Sequence, residues 1–158
     1  MKNIKSFLIL HNIRSTYNVG SIFRTAEACG VSKIFLTGYT PKPVDKFGRE
    51  VKAISKTALG AEKIVSWEYS PRPNPIIKKL KKLDFKIIGI EQDKKSVDYK
   101  KVKIDQSVAF LLGNEVKGLS KQLLDQCDLI TEIPMIGKKE SLNVSVATGV
   151  ALFRILGV

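Results

Sequence analysis

The chain is poor in the residues that most enzyme chemistries require. Its 158 residues include a single histidine, His11, and only two cysteines, Cys29 and Cys127. A Ser-His-Asp triad would have to be built around that one histidine, and these three residues are too few for a zinc site or a disulfide framework. The sequence also contains no Walker motif and no G-x-G-x-x-G fingerprint. We therefore expect an enzyme with this sequence to work without a metal, using a cofactor that brings its own reactive group.

Acidic residues and long apolar runs are also scarce. The chain has 15 acidic residues and 27 lysines and arginines, which gives a net charge of +12. Residues 72–103 alone contain eleven of these cations and only four acids. This excess predicts a polyanionic partner such as nucleic acid, with a solvated lysine-rich helix as the alternative. No apolar run is long enough to span a bilayer and no cleavable signal peptide is present, which predicts a cytoplasmic protein without membrane contact.

The order of apolar and amphipathic segments predicts a single α/β domain over residues 1–158. Strand-like runs alternate with helical patterns, and the runs 85–90 and 107–113 are apolar almost throughout. Strands buried on both faces of a parallel sheet have this character. We expect a mostly parallel sheet flanked by helices, and the usual connection rules favour an unknotted chain. The apolar residues of the last helix, from Leu142 onward, surround its axis and predict a helix buried on all sides.

Three polar clusters follow apolar strands or open helices. They occupy residues 11–24, 110–120 and 132–149. Open α/β sheets bind ligands at the carboxyl ends of their strands, so these clusters predict one shared site. Each cluster also has an ordinary explanation. Asn18, Ser141 or Asn143 could simply cap a helix, and Arg24 could be a surface side chain whose stem packs on its own helix.

The clusters resemble the three motifs of the TrmH (SpoU) family of SPOUT-superfamily RNA ribose 2′-O-methyltransferases. The matching segments are Asn18-x-Gly20-x-x-x-Arg24, Leu112-Gly113-Asn114-Glu115-x-x-Gly118-Leu119 and Ile133-Pro134-Met135-x-Gly137-x-x-x-Ser141-Leu142-Asn143-Val144-Ser145-Val146-Ala147. They occur in the family's order and span nearly the whole chain. The resemblance implies a deep trefoil knot near the C-terminus, a homodimer formed through that region, and S-adenosylmethionine as the cofactor.

The resemblance also implies roles for individual residues. The expected catalytic residues are Arg24, Asn18, Glu115, Ser141 and Asn143. The expected cofactor-binding residues are Ile90, Gly113, Asn114, Ile133, Met135 and Leu142. The family gives the arginine of its first motif the central catalytic role, sometimes as a general base. Because a guanidinium group hardly deprotonates in proteins, clamping the target phosphate and stabilising the alkoxide is the physically easier role.

The expected substrate is RNA methylated on a ribose 2′-hydroxyl. We expect no appended N-terminal RNA-binding domain of the kind that larger relatives carry, which favours a compact tRNA over rRNA. We expect Arg14, Lys78, Lys79, Lys81 and Lys82 to contact RNA phosphates. The alternative is a catalytically silent RNA-binding protein that keeps the fold, although the five intact catalytic positions favour an enzyme. Methylation of a base nitrogen is disfavoured because the motifs match the ribose branch.

Overall fold

A seven-stranded sheet with helices on both faces forms the centre of the computed structural model, which describes residues 3–158. The strands are β1 (Ser6–His11), β2 (Lys33–Thr37), β3 (Ser66–Ser70), β4 (Lys86–Ile90), β5 (Val97–Asp98), β6 (Val108–Leu112) and β7 (Leu129–Glu132). The helices are α1 (Thr16–Ala28), α2 (Lys52–Ala58), α3 (Ala61–Ile64), α4 (Asn74–Lys82), α5 (Lys121–Asp125) and α6 (Val144–Leu156). A 3₁₀ turn covers Tyr99–Lys101.

All neighbouring strands are parallel, in the order β3-β2-β1-β6-β4-β7-β5. The prediction of a mostly parallel sheet flanked by helices is therefore confirmed. Strand β6 lies between β1 and β4, and all five of its residues are buried, which explains its unbroken apolar sequence. Because β1 and β6 are neighbours, the loops that follow them meet at the same edge of the sheet.

Alternate residues of each strand pack under different helices. On one face Leu8, Leu10 and Phe110 join the core formed with α1, α2 and α6. On the other face Ile9 and Leu111 join the core formed with α4 and α5. This alternation is the ordinary consequence of strand geometry, in which successive side chains point to opposite faces. Among residues 3–158 no helix has the length and apolar character needed to cross a membrane.

Two elements near the end of the sheet differ from the sequence prediction. The apolar pattern predicts a last strand over 129–136, but β7 ends at Glu132. Pro134 cannot donate a backbone hydrogen bond and so does not continue a strand paired on both sides. Strand β5 has two residues, too few to produce a recognisable pattern in the sequence.

The last helix is not buried on all sides, so that prediction is wrong for the single chain. The inward residues of α6 are Thr148, Ala151, Leu152 and Ile155. Val146, Val150 and Phe153 are 50%, 37% and 42% exposed. The reason is that α6 lies over the sheet and against α1, which together cover one side of it. An apolar stripe, formed by these three residues, is left facing outward.

Candidate active site

A cavity lies at the carboxyl edge of the sheet, where the loops after β1, β4, β6 and β7 come together. Its volume is about 270 Å³, and its walls come from residues 90–92, 112–116, 118, 132, 133, 135, 140–142, 144 and 147. These strands are adjacent in the sheet. Parallel strands end at the same edge, so segments far apart in sequence converge there. The second and third polar clusters therefore share one cavity.

The residues expected to bind the cofactor all line this cavity. They are Ile90, Gly113, Asn114, Ile133, Met135 and Leu142. Glu115 and Ser141, two of the expected catalytic residues, line it as well. Their contact with a ligand stays a prediction.

Glu91 is a cavity residue that the sequence analysis missed. Its Oε2 atom accepts the Leu119 N–H at 3.0 Å, and its Oε1 atom accepts the Gln92 N–H at 3.0 Å. A Cβ atom on Gly118 would lie 2.3 Å from that Oε2, and Gly118 has a φ of +64°, so a larger residue there would be strained and would displace the Glu91 carboxylate. Gln92 Nε2 in turn donates to the Glu140 carbonyl at 2.6 Å. Glu91 directly follows β4, and this position at a strand end could have identified it.

Asn18, Glu115 and Asn143 bring the three motifs into contact. Asn18 Nδ2 donates to Glu115 Oε1 at 3.5 Å, and Asn143 Nδ2 donates to Asn18 Oδ1 at 3.3 Å. Asn143 is also the N-cap of α6, since its Oδ1 accepts the backbone N–H of Ser145 at 2.9 Å. The capping bond fixes the amide so that its NH₂ group points towards Asn18. The capping and site explanations of Asn143 are therefore compatible.

The Glu115 carboxylate holds the start of α1. It accepts the Arg14 N–H at 3.1 Å on both oxygens and the Ser15 N–H at 3.2 Å. Ser15 is the N-cap of α1, and its hydroxyl accepts the Asn18 N–H at 3.1 Å. Burial alone would raise the pKa of Glu115, but these backbone hydrogen bonds outweigh it and lower the pKa below its ordinary value. The carboxylate is thus kept ionised by groups of the first motif.

Replacing Glu115 by glutamine is expected to reduce the acid sensitivity of the fold. The folded-state pKa lies below the ordinary value of 4.5, so the stabilisation is complete above that value and is lost as the pH falls through the folded-state pKa. Urea titrations at neutral pH and at a pH below 4.5 would give the free energy of unfolding. Between the neutral and the acidic pH, the free energy of unfolding should fall more for wild type than for Glu115→Gln. The exposed Glu27→Gln variant should behave like wild type, and an equal decrease in Glu115→Gln would contradict the assignment.

His11 is occupied by neighbouring residues and does not line the cavity. Its Nδ1 atom lies 2.9 Å from Thr37 Oγ1, and its Nε2 atom lies 3.2 Å from Asn12 Nδ2. Burial lowers the pKa of His11, which favours the neutral imidazole. Both ring nitrogens therefore have structural partners at the end of β1.

Arg24 lies apart from the Asn18–Glu115–Asn143 contacts. It is exposed on α1, six residues after Asn18, and is not among the residues that line the cavity. The buried face of α1 is formed by other residues, including Val19, Ile22 and Phe23. Within the single chain, the structure does not bring Arg24 to the cavity wall, and its catalytic role stays a prediction.

Gly20 of the first motif has a packing role. A Cβ atom there would lie 2.0 Å from Thr57 Oγ1 and 2.3 Å from the Ile54 carbonyl oxygen. Helices α1 and α2 therefore pack at a distance that only glycine allows. This position explains one motif residue without any contact to a ligand.

The residues expected to bind RNA lie in two places. Arg14 is exposed beside the site, in a shallow depression that it shares with Tyr39, Asn114, Val116 and Lys117. The four lysines are exposed on α4, at positions 78, 79, 81 and 82. Helix α4 starts after the carboxyl end of β3 and ends before the amino end of β4. Lys81 Nζ accordingly lies 3.6 Å from Asp128 Oδ1, directly before β7, at the edge away from the cavity.

Among residues 3–158 no group of three or more His, Cys, Asp and Glu side chains is placed to hold a metal ion. The site's polar groups are instead carboxylates, amides and a hydroxyl.

Comparison with known proteins gives a consistent set of relatives. Residues 5–153 match the model of the SpoU rRNA Methylase family. A Staphylococcus aureus protein named as a TrmH family tRNA/rRNA methyltransferase is 30% identical over 154 residues, which cover 98% of this chain. This chain spans 59% of the length of that relative.

Two solved structures share the fold. An AdoMet-bound rRNA methyltransferase from Sinorhizobium meliloti superposes with a TM-score of 0.82 at 28% identity, covering 95% of this chain and 55% of that one. The A. aeolicus TrmH/SpoU tRNA modifying enzyme superposes with a TM-score of 0.81 at 27% identity, covering 99% of this chain and 75% of that one. The family match extends over almost all of the chain and includes the three motifs that Asn18, Glu115 and Asn143 bring into contact beside the cavity. This chain therefore belongs to the SpoU (TrmH) methylase family.

Proposed function

We propose that this protein is an S-adenosylmethionine-dependent RNA methyltransferase that acts on a ribose 2′-hydroxyl. The observation that carries the proposal is the contact among Asn18, Glu115 and Asn143, one residue from each motif, beside a cavity lined by every residue expected to bind the cofactor. The S. meliloti relative, at 28% identity, is an AdoMet-bound rRNA methyltransferase, which supports the same chemistry.

The charge of the cavity supports a cationic ligand. Four glutamates line it, Glu91, Glu115, Glu132 and Glu140, and none of the lysines and arginines within residues 3–158 does. This is unusual in a chain with a net charge of +12. Carboxylates around a cleft focus a negative potential that attracts cations. S-adenosylmethionine carries a sulfonium cation, so the residues present fit this cofactor.

The shape and surface of the cavity fit the rest of such a ligand. Its volume of about 270 Å³ lies close to the lower end of the range typical of small-molecule sites, about 300–1,000 Å³. Ile90 and Leu142 supply apolar walls. Gly113 also lines the cavity, and a larger residue is excluded there because a Cβ atom would lie 2.7 Å from the Gly118 carbonyl oxygen. We propose that these residues, with Asn114, Ile133 and Met135, hold the cofactor. When bound, it supplies a methyl group activated by the adjacent sulfonium.

The residues around the cavity would prepare the ribose hydroxyl for attack. A 2′-hydroxyl is a weak nucleophile, and negative charge develops on its oxygen in the transition state. Fixed donors aimed at that oxygen lower the barrier. We propose that Ser141 and Asn143 orient the ribose and that Arg24 clamps the target phosphate and stabilises the alkoxide. Both oxygens of Glu115 already accept backbone N–H groups, so we assign Glu115 to positioning the first motif.

We also propose that the segment between β7 and α6 forms the deep trefoil knot. Two hydrogen bonds support this arrangement. Glu91 accepts the Leu119 N–H, and Gln92 donates to the Glu140 carbonyl. The first bond joins the loops that follow β4 and β6, and the second holds Glu140, within the segment 133–143, beside the loop that follows β4. Tracing the path of residues 133–143 in an experimental structure would show whether the chain is knotted there.

A homodimer would explain the apolar stripe on α6. Val146, Val150 and Phe153 are spaced at i, i+4 and i+7, so they share one face of the helix, and each is at least 37% exposed. Helix α6 is apolar on this outward face as well as on its inward face, and a helix of this kind is expected to be buried on both. We propose that a second copy covers the stripe. Light scattering should then give twice the mass of one chain, and a monomer mass would contradict the proposal.

Replacing Lys78, Lys79, Lys81 and Lys82 together by alanine is expected to weaken RNA binding. The salt dependence should also flatten, because fewer counterions are released when fewer phosphates are contacted. Each lost phosphate contact should reduce the slope of log K against log salt by about 1. Replacement of the same four lysines by arginine is the matched control and should keep the slope. An unchanged slope in the alanine variant would mean that these lysines form only a solvated helix face.

The RNA substrate can be identified in cells that lack the gene. Mass spectrometry of nucleosides from separated tRNA and rRNA should show the loss of one ribose-methylated nucleoside, and we expect the loss in tRNA. A loss confined to rRNA would overturn the tRNA preference. An unchanged set of methylated nucleosides would favour the alternative of a catalytically silent RNA-binding protein.

A further inference from the structure

The connection between β2 and α2 carries a phenylalanine that the fold does not use. The Phe47 side chain is 68% exposed, and the nearby Tyr39 is 57% exposed. Burial of apolar area is the main reason that a folded chain retains phenylalanine. Phe47 buries little apolar area within the described chain. A contact with a partner is another possible use of its ring.

The backbone around Phe47 is held in one conformation. Asp45 Oδ1 accepts the Phe47 N–H at 2.8 Å and the Arg49 N–H at 3.0 Å. Asp45 Oδ2 accepts from Arg49 Nε at 2.8 Å, and the Asp45 N–H donates to the Arg49 carbonyl at 2.8 Å. Gly48 has a φ of +75° and closes the turn. One carboxylate thus organises residues 45–49, which we name the aromatic turn, and presents the Phe47 ring to solvent.

Cations surround the exposed ring. Lys46 Nζ lies 5.1 Å and Arg49 Cζ lies 4.9 Å from the Phe47 ring centroid. Cation–π contacts are weak at exposed sites, so Lys46 can move away from the ring when another group stacks on it. Arg49 is held beside the ring by its hydrogen bond to Asp45. A base that stacks on Phe47 would bring its phosphates next to these two cations. Aromatic rings among basic side chains are the usual means of binding single-stranded nucleic acid.

The connection that carries the aromatic turn begins at the edge of the sheet where the cavity lies. Tyr39 OH accepts from Asn114 Nδ2 at 2.9 Å, and the Tyr39 N–H donates to Asn12 Oδ1 at 3.1 Å. Further along, Lys42 Nζ lies 4.7 Å from the centroid of the Tyr69 ring. The connection therefore carries basic and aromatic side chains from Tyr39, beside the candidate site, towards the aromatic turn in the sequence.

We propose that the aromatic turn binds an unpaired nucleobase of the RNA substrate by stacking on Phe47, with Lys46 and Arg49 contacting the adjacent phosphates. This inference rests on the proposed function, because it assigns a contact to the same RNA. It differs from the contacts expected of the α4 lysines, which would involve phosphates alone. Stacking needs a base, whereas phosphate contacts do not, and this difference can be measured.

The test compares a short single-stranded oligoadenylate with a strand of the same length that lacks its bases. In Phe47→Ala, the dissociation constant for oligoadenylate should rise by about fivefold to a hundredfold, the range found when one stacking ring is removed. Binding of the abasic strand should not change. Phe47→Trp should keep oligoadenylate binding, because it also offers a ring. Leu83→Ala, which removes another exposed apolar side chain, is the matched control and should behave like wild type.

The outcomes separate this inference from the proposed function. Wild-type affinity of Phe47→Ala for oligoadenylate would overturn the inference, and so would an equal loss for the abasic strand. Neither result would affect S-adenosylmethionine binding or methyl transfer, on which the proposed function depends. An Asp45→Ala variant, which loses the bonds that shape the turn but keeps Phe47, should also bind oligoadenylate more weakly. Full affinity in that variant would overturn the role given to the turn.

Discussion

Replacing Arg24 by alanine is expected to lower the rate of methyl transfer about a hundredfold or more, the scale found when one donor to a developing oxyanion is removed. Arg24→Lys should fail as well. A guanidinium offers paired donors in a fixed plane, whereas an ammonium is a point charge. Single-turnover rates with saturating RNA and cofactor would measure the effect. Because the side chain is exposed, we expect thermal stability and cofactor binding to stay close to wild type.

A second arginine provides the control for this experiment. Arg154 is also exposed, and its Nη2 donates to the Lys100 carbonyl at 3.1 Å. Arg154→Ala removes the same charge without touching the cavity, so its rate should remain near that of wild type. If Arg24→Lys turned over at a near-normal rate, the clamp assigned to Arg24 would be wrong, while the family membership would stand.

S-adenosylmethionine or its demethylated product is expected to raise the melting temperature. A ligand that binds only the folded state contributes about 2.7 kcal/mol at a hundred times its dissociation constant. In a chain of this size each kcal/mol corresponds to about 2–4 °C, so the shift should be about 5–11 °C. The Ala147→Phe variant should abolish the shift, because Ala147 lines the cavity and a ring there would fill it.

The control for the cavity variant is Ala28→Phe, which places the same ring on an exposed position at the end of α1. It should keep the ligand-induced shift. Melting curves without ligand would show that both variants are folded. An unchanged shift in Ala147→Phe would place the cofactor elsewhere. No shift for the folded wild-type protein with either ligand would count against the cofactor altogether.

The sheet was predictable because local pattern and tertiary role agree in its strands. Strand β6 is apolar throughout and is buried throughout, so its sequence alone indicated a central position in a parallel sheet. The cavity was predictable for a related reason. Gly113 and Asn114 directly follow β6, and parallel strands place such positions at one edge.

Other features depend on contacts that the sequence pattern does not encode. The outward stripe of α6 is apolar, like the helix's inner face, so periodicity could not distinguish a face that packs in the chain from one left exposed. The α4 lysines were predicted to bind RNA from the local excess of positive charge. That excess does not indicate the edge of the sheet at which the lysines lie. The aromatic turn was missed because its order comes from the side-chain bonds of Asp45, which no periodic pattern reveals.

The position of Arg24 relative to the cavity could not be predicted from the motif. The motif places it at a fixed spacing from Asn18, but the spacing does not say which face of α1 is covered. In the single chain its side chain lies outside the cavity. A clamp on a large RNA does not need a buried arginine. The substrate itself, or a second copy of the chain, would complete its surroundings.

Methyl transfer by the purified protein tests the proposed reaction most directly. The protein would be incubated with S-adenosylmethionine carrying an isotopically labelled methyl group and with unfractionated tRNA or rRNA, and the RNA would be digested to nucleosides for mass spectrometry. We predict that the label appears on the ribose of a single nucleoside and that Arg24→Ala incorporates it at least about a hundredfold more slowly than wild type. Label on a base, or no label in either RNA while the cofactor still raises the melting temperature, would contradict the proposed function.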